Sequence, residues 1–589
     1  MAPSTDREVP VELEGSQFNQ TTTTCETSVK HETVVSNMST EIATEKPSTS
    51  AQQSTDKESA LVASGSQQDI ELNKEEEQPE TQYLSSWKLG FLITGLSLST
   101  FCLALDNTIL ATAIPRITDQ FKSLEDVGWY ASSYLLTTCA VTLAFGKLYT
   151  FYSTKWVYLI ALFIFELGSL ICGVAPTSIA LIIGRAIAGI GSGGLFSGGV
   201  IIIAQSIPLE RRPIYTGMLS SMFGLASVAG PLMGGAFTDH VTWRWCFYIN
   251  LPVGAITCAF ILLFFKTPKS VKDKSGFKDQ LSQLDLPGTA VFVPAIICIL
   301  LALQWGGTKY AWSNARIIAL FVLFGVLIIG FILIQLWRQE KATVPPRVIK
   351  HRNAWAGALF QTFMAAAFFV TVYYMPIWFQ AIKGVSATKS GIMSLPMILG
   401  MVVCAVLSGI LVTVFGHYGP FLVLSPILLA VGSGLLTTLK VNSGHPAWIG
   451  YQALAGMGAG FGMQQPLLAV QASLPFPDIP TATALMMFAQ TLGGAIFCSV
   501  GQNIFTNQLL KNLMHDVPSV NAPQVIGAGA TELRNVVPVE QLPAVLQAYS
   551  RAITEAFYVC VATAILSFVG ACLVKWVSVK GKKIDAHAV

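Results

Sequence analysis

Three charged residues, Asp106, Glu166 and Arg185, sit deep within long apolar stretches of the chain. A charge inside a bilayer is costly and is usually kept there for function. At 1.5 Å of rise per residue, Asp106 lies roughly 14 Å before Pro115, Glu166 about 14 Å before Ala175, and Arg185 about 12 Å after Thr177. All three can therefore meet at one level of a helix bundle. A buried guanidinium keeps a neighbouring carboxylate ionised, and its withdrawal lets that carboxyl take a proton. This is the chemistry of a proton-coupled switch. The alternative is structural: a tie between the helices that carry Asp106 and Arg185, and a Glu166 bonded to a hydroxyl or backbone group in a peripheral helix.

Glycines form the second pattern. Gly189-Ile190-Gly191-Ser192-Gly193-Gly194 matches G-x-G-x-x-G, but no strand or ribose-binding acid frames it, so close helix approach is the better reading. Gly224, Gly230, Pro231, Gly234 and Gly235 fall in one apolar run. A proline removes one backbone bond, and the glycines leave a smooth face for a neighbour to pack on or slide along. Neither GK pair, Gly146-Lys147 or Gly581-Lys582, lies in a P-loop, which excludes ATP binding through that motif.

The elements that must position these residues follow from composition. The chain has 589 residues, 52% hydrophobic and 12% charged. A soluble domain carries about 25% charged residues. That excludes an ordinary soluble enzyme, a nucleic-acid binder and a fibrous protein, and leaves an all-α polytopic membrane protein. Fourteen apolar runs are long enough to span, at about 20 residues each: 88–114, 127–149, 156–175, 178–204, 214–237, 244–265, 286–305, 316–337, 354–379, 391–415, 419–439, 447–472, 482–506 and 552–577. The net charge of +3 hides a division. Residues 1–86 are acidic, rich in Ser, Thr and Glu and poor in aromatics, and read as a disordered tail; the remainder is basic.

Orientation follows from Lys and Arg in the short loops. Lys266, Lys269, Lys272, Lys274 and Lys278 share one loop, and Arg338, Lys341, Arg347, Lys350 and Arg352 another. Placing both in the cytosol puts the N-terminus inside, and an even number of spans returns the C-terminus there. Residues of about 507–550 then form the largest outer segment. The sequons at Asn19 and Asn37 fall in the cytosol, where no glycan is expected. The eleven cysteines are dispersed without a C-x-x-C pair, as befits small packing residues. His31, His240, His351, His417, His445, His515 and His587 all lie in loops or tails, against an intramembrane metal or haem site. No metal, cofactor or nucleic acid is expected.

Several motifs carry a family resemblance. Leu105-Asp106-Asn107-Thr108-Ile109, closed by Ile114-Pro115, resembles the span-1 signature of fourteen-span drug:proton antiporters of the major facilitator superfamily. Gly184-Arg185-Ala186-Ile187-Ala188-Gly189 is similar to the superfamily's span-4 motif, and Gly230-Pro231-Leu232-Met233-Gly234-Gly235 to its antiporter motif in span 5. Trp243-Arg244-Trp245-Cys246-Phe247-Tyr248-Ile249-Asn250-Leu251-Pro252 and Leu303-Gln304-Trp305-Gly306-Gly307 resemble the fungal branch. One motif departs: the loop after span 2 has Thr150 where the family has Asp, which leaves Gly146 and Lys155 to keep part of an inner gate.

The resemblance implies two six-helix bundles, 87–265 and 354–579, with two linker helices inserted within 266–353 and a cytosolic end at 580–589. It implies proton-driven efflux of hydrophobic small molecules, such as azoles or mycotoxins, across a fungal plasma membrane, a vacuolar or vesicle membrane being the alternative. Asp106 would be the leading proton-coupling residue, Arg185 its modulator and Glu166 a further candidate. Asn107, Gln361, Phe363, Tyr373, Tyr374, Gln380, Tyr451, Gln452, Met463, Gln464 and Gln465 would contribute to the cavity, since aromatic, Met and amide groups suit bulky, mostly apolar compounds. The expected form is a monomer. The rival readings are uptake of a ferric siderophore or nutrient and, further off, a receptor or membrane-embedded enzyme.

Overall fold

A computed structural model describes residues 86–123, 126–266, 284–307 and 309–580. The acidic tail and its sequons, Lys269, Lys272, Lys274, Lys278 and the final lysines Lys582 and Lys583 lie outside the described residues. A helix occupies each of the fourteen apolar runs. They are α1 (Ser86–Phe121), α2 (Val127–Phe151), α3 (Thr154–Val174), α4 (Ser178–Ser206), α5 (Arg212–His240), α6 (Asn250–Phe264), α7 (Leu286–Trp305), α8 (Ala315–Arg338), α9 (Arg352–Lys383), α10 (Leu395–Phe415), α11 (Gly419–Leu436), α12 (His445–Gly462), α13 (Ile479–Asp516) and α14 (Leu542–Leu573).

Among the described residues, twelve helices are long and apolar enough to cross a membrane. The two remaining segments differ for identifiable reasons. Helix α2 dilutes its apolar residues with Ser132, Ser133, Thr137, Thr138, Thr142, Lys147 and Thr150. Run 447–472 is interrupted at Met463–Gln464 and resumes as a short helix, Gln465–Ser473, with Pro466 in its first turn. Two other runs also begin in pieces: Trp245–Tyr248 precedes α6, and Ala387–Met393 precedes α10. The segment 507–550 contains the end of α13 and a separate helix, Ala522–Val536.

Helix is the form in which an apolar chain can pair its own backbone groups without water. The many hydroxyls in these helices are satisfied by bonding back one turn, as in Thr100 to Leu96 O and Thr138 to Tyr134 O. Thr177, Asp285 and Asn314 cap the starts of α4, α7 and α8 with side-chain acceptors. Gly384 and Gly416 end α9 and α10 in the left-handed conformation that suits glycine.

Helices α1–α6 pack chiefly among themselves, as do α9–α14. Two seams join the groups, α5 on α10 and α2 on α13. The hairpin α7–α8 lies on the second seam, with α7 against α2 and α13 and a shared core of Leu143, Phe292, Ile296 and Met486. Helix α8 is outermost. Val322, Val326, Ile329 and Leu333 stand exposed along it, an apolar face that only a bilayer would cover.

Candidate functional site

Asp106 on α1 and Arg185 on α4 form an ion pair, each side chain only 1% exposed. One guanidinium nitrogen of Arg185 donates to Asp106 Oδ2. Its Nε donates to the Tyr130 carbonyl at 2.7 Å, and the Tyr134 ring lies 4.4 Å from the guanidinium carbon. Helix α2 therefore supplies both remaining supports of the arginine. Behind it, hydroxyl contacts continue outward: the Tyr130 phenol oxygen is 2.8 Å from Ser178 Oγ, and Ser178 donates to Asp126 at 2.5 Å.

The third charged residue stands apart from this pair. Glu166 on α3 is half-buried, and neither carboxyl oxygen has a hydrogen-bond partner. Its side chain lies against Gly254 of α6. The link to Asp106 comes from Asn250, fully buried at the start of α6, whose Nδ2 is 3.5 Å from Asp106 Oδ1 and 3.2 Å from Ser169 Oγ. Asn250 belongs to the Trp243–Pro252 stretch, whose interior asparagine was the available signal.

The glycines of α5 face two partners. Gly230 abuts Thr108 of α1, and Gly234 abuts Thr112 and Ile109, so an added Cβ would collide at both. Thr108 also donates to Ala226 O of α5 at 3.0 Å. Gly224 instead meets Val402 of α10, and Pro231 lies by Gly391 just before that helix. Gly235 has open space around it. Helix α5 continues through Pro231 and is wedged between the helix bearing Asp106 and the second group.

At the end where α1 begins, Gly146 of α2 permits close approach to Ala484 of α13, and Thr150 Oγ1 lies 3.2 Å from Thr481 Oγ1. Lys155 does not reach this seam: it donates to Leu262 O at 2.7 Å and Phe265 O at 3.0 Å, closing the end of α6. The charges that do reach it are other residues. Lys147 Nζ donates to Glu340 O at 3.1 Å, while Arg347 binds both oxygens of Asp478 at 2.6 and 2.8 Å and Glu340 at 2.6 Å. Nearby, Asp285 accepts from Gln335 at 2.6 Å and from Thr343 N and Oγ1 at 2.9 Å each. Burial pushes the Asp285 carboxyl up, but these bonds and the Gly288 N–H outweigh it and hold the group below its ordinary value.

The cavity candidates divide by exposure. Asn107 and Tyr373 are exposed, and Phe363, Gln380, Tyr451 and Met463 are half-buried. Phe363 stacks edge-on with Phe497, and Gln380 donates to Ser390 Oγ at 3.1 Å. The others are engaged within the protein. Gln361 binds Met463 O and Gln490, Gln452 binds Met393 O and Trp448 O, Gln465 binds Phe461 O, and Gln464 binds Ser220 of α5 across the first seam. Tyr374 donates to Gln502 at 3.1 Å. A recess of about 460 Å³ between α1 and α5, lined by Ile93, Ser97, Phe101, Met218 and Met222 among others, adds apolar surface that no motif indicated.

The pattern of the Major Facilitator Superfamily matches residues 96–497, from α1 into α13. The chain belongs to that superfamily. Similar proteins include the MFS-type transporter astH of Aspergillus oryzae, 59% identical over 86% of this chain and 90% of its own length. The efflux pump roqT of Penicillium rubens is 60% identical over 84% of this chain and 92% of its own. The MFS-type efflux pump MFS1 of Arthroderma benhamiae is 56% identical over 87% and 96%. Among solved structures, the human organic anion transporter MFSD10 aligns over 82% of this chain and 99% of its own with a TM-score of 0.54 at 13% identity, which speaks to the superfamily fold.

Proposed function

We propose that this superfamily member is a proton-coupled efflux transporter that exports hydrophobic small molecules from a fungal cell. The observation that carries the coupling is the buried Asp106–Arg185 pair. Two relatives at 56–60% identity named as efflux pumps support export over uptake. The chain crosses the membrane fourteen times, with α1–α6 and α9–α14 as the two six-helix bundles and α7–α8 inserted between them. Both termini face the cytosol, the membrane is the plasma membrane, and the protein works as a monomer without a cofactor.

In this reading a proton binding at Asp106 releases the carboxyl from Arg185, which keeps the Tyr130 carbonyl and the Tyr134 ring. A change in α1 is felt by α5 through Thr108 and Gly230, and by α10 through Gly224 and Val402. The proton event thus reaches a seam that must move when the bundles rock in alternating access. Gly146, Thr150 and the Lys147–Glu340 and Arg347–Asp478 contacts close the cytosolic end. Tyr373, Phe363, Tyr451, Met463 and Asn107 offer the cavity surface for bulky, mostly apolar substrates.

The test is growth of a pump-deficient yeast expressing the full chain on a panel of azoles, cationic dyes and fungal toxins, with and without a protonophore. Protonophore-sensitive resistance with lowered intracellular dye is the expected result. Raised intracellular dye would reverse the direction, and resistance indifferent to the protonophore would remove the proton.

A further inference from the structure

The Asp106–Arg185 pair leaves a second buried carboxyl without a partner. Glu166 lies one helical turn from Ser169 on α3, and Gly254 lies one turn from Asn250 on α6. Ser169 and Asn250 touch each other, and Glu166 touches Gly254, so the two helices meet in register. Asn250 then joins this interface to Asp106. A side chain at position 254 would occupy the space that the carboxyl fills.

The groups facing Glu166 are few. From α1 come Asp106 and Cys102, both within electrostatic reach. Helix α6 carries no charged residue between Asn250 and Phe264. Arg185 of α4 is committed to Asp106. An ionised carboxylate with both oxygens buried and no donor or cation is strongly disfavoured. The neutral acid satisfies the electrostatics: two carboxyls, one guanidinium and one proton leave the interface uncharged.

We propose that Glu166 is a second proton-binding group that holds a proton while Asp106 is paired with Arg185, and that Asn250 positions Asp106 beside it. The site extends from α1 and α4 into the α3–α6 interface. When Arg185 withdraws, Asp106 takes up a proton from hydronium, releasing water, while Glu166 keeps its own, so the site gains one proton and one positive charge. The buried Oδ1 of Asn250, which has no partner, leaves an acceptor open in the same interface. The proposal rests on the proton-coupled reading, but the measurement that decides it, the infrared titration, needs no transported compound.

The experiment is infrared titration of the purified full chain, following the C=O stretch of protonated carboxyls. A protonated-carboxyl band should be present at neutral pH, lost in Glu166→Gln and retained in Asp106→Asn. Arg185→Gln should add a second band, from Asp106. Dicyclohexylcarbodiimide, which attacks protonated carboxyls, should modify Glu166 at neutral pH, as read by peptide mass spectrometry. Asn250→Ala should move the acid limb of protonophore-sensitive dye efflux to higher pH, a change that lost packing alone would not give. A neutral-pH band that survives in Glu166→Gln overturns the proposal whatever the transport assays show. Loss of that band together with normal coupled efflux in Asp106→Asn would instead sink the coupling reading and leave Glu166 as a proton site.

Discussion

The Asp106–Arg185 pair makes an asymmetric prediction. Asp106→Asn leaves a guanidinium buried without a counter-charge, and removing one partner of a buried pair costs about 3–5 kcal/mol. The amide oxygen can still accept one bond from Arg185, so the loss should fall near the lower figure. Arg185→Gln leaves a carboxyl, which can take up a proton where a guanidinium cannot lose one. Its cost is then that of unpaired buried polar groups, about 1–3 kcal/mol. The double variant replaces two charges by two amides able to bond to each other. It should be less destabilised than the sum of the two single losses, with a coupling of about 2 kcal/mol between the sites. Unfolding of the purified variants in detergent, by heat or by denaturant, measures the ranking. Dye-driven proton movement in proteoliposomes measures function, which all three variants should lose. Additive stabilities would refute the pairing argument, and normal coupled efflux in Asp106→Asn would refute the role.

Three further outcomes follow from the same geometry. Gly230→Ala should destabilise by about 1–3 kcal/mol through overpacking against Thr108, and adding Thr108→Ala should recover part of that in a thermal-shift measurement. Asp285→Ala strips the acceptor from Gln335 and Thr343 and should cost about 1–3 kcal/mol. Because the folded carboxyl titrates below its unfolded value, its contribution is complete above the usual carboxylate range and fades as pH falls through the folded value; wild type and variant should therefore converge in strongly acidic unfolding experiments. Arg347→Ala should have a smaller effect, about 1 kcal/mol and reduced by salt, since the side chain is 51% exposed; its main readout is faster dye efflux as the closure at that end of the bundles weakens.

Much of this was legible in the sequence for physical reasons. Long apolar runs must become helices, and a carboxylate and a guanidinium at similar depth had every reason to meet. The glycines around Pro231 announced close packing without naming the partners, and only the structure divides them between α1 and α10. Depth alone could not place Glu166, because rotation about the helix axis turns it toward α6 rather than toward Arg185. The interruption at Met463–Gln464 carried a signal in Pro466 that overall apolarity masked. The contacts of Lys147 with Glu340 and of Arg347 with Asp478 join residues well over a hundred positions apart; each reads in isolation as an ordinary loop charge. Lys155 shows the converse, a plausible gate residue drawn instead to the carbonyls ending its own neighbour.

The fit of α5 on α1 bears on how such a protein can change over generations. Glycine is the smallest residue, so every coding change at Gly230 or Gly234 adds atoms where Thr108 or Thr112 already stands. No mutational step there is small. Tyr373 and Asn107 are exposed, so exchanges there one nucleotide at a time should cost the fold less. If substrate is recognised there as proposed, variation in what is recognised can accumulate on one surface while the α1–α5 seam stays locked, and selection by a new toxin has somewhere inexpensive to act.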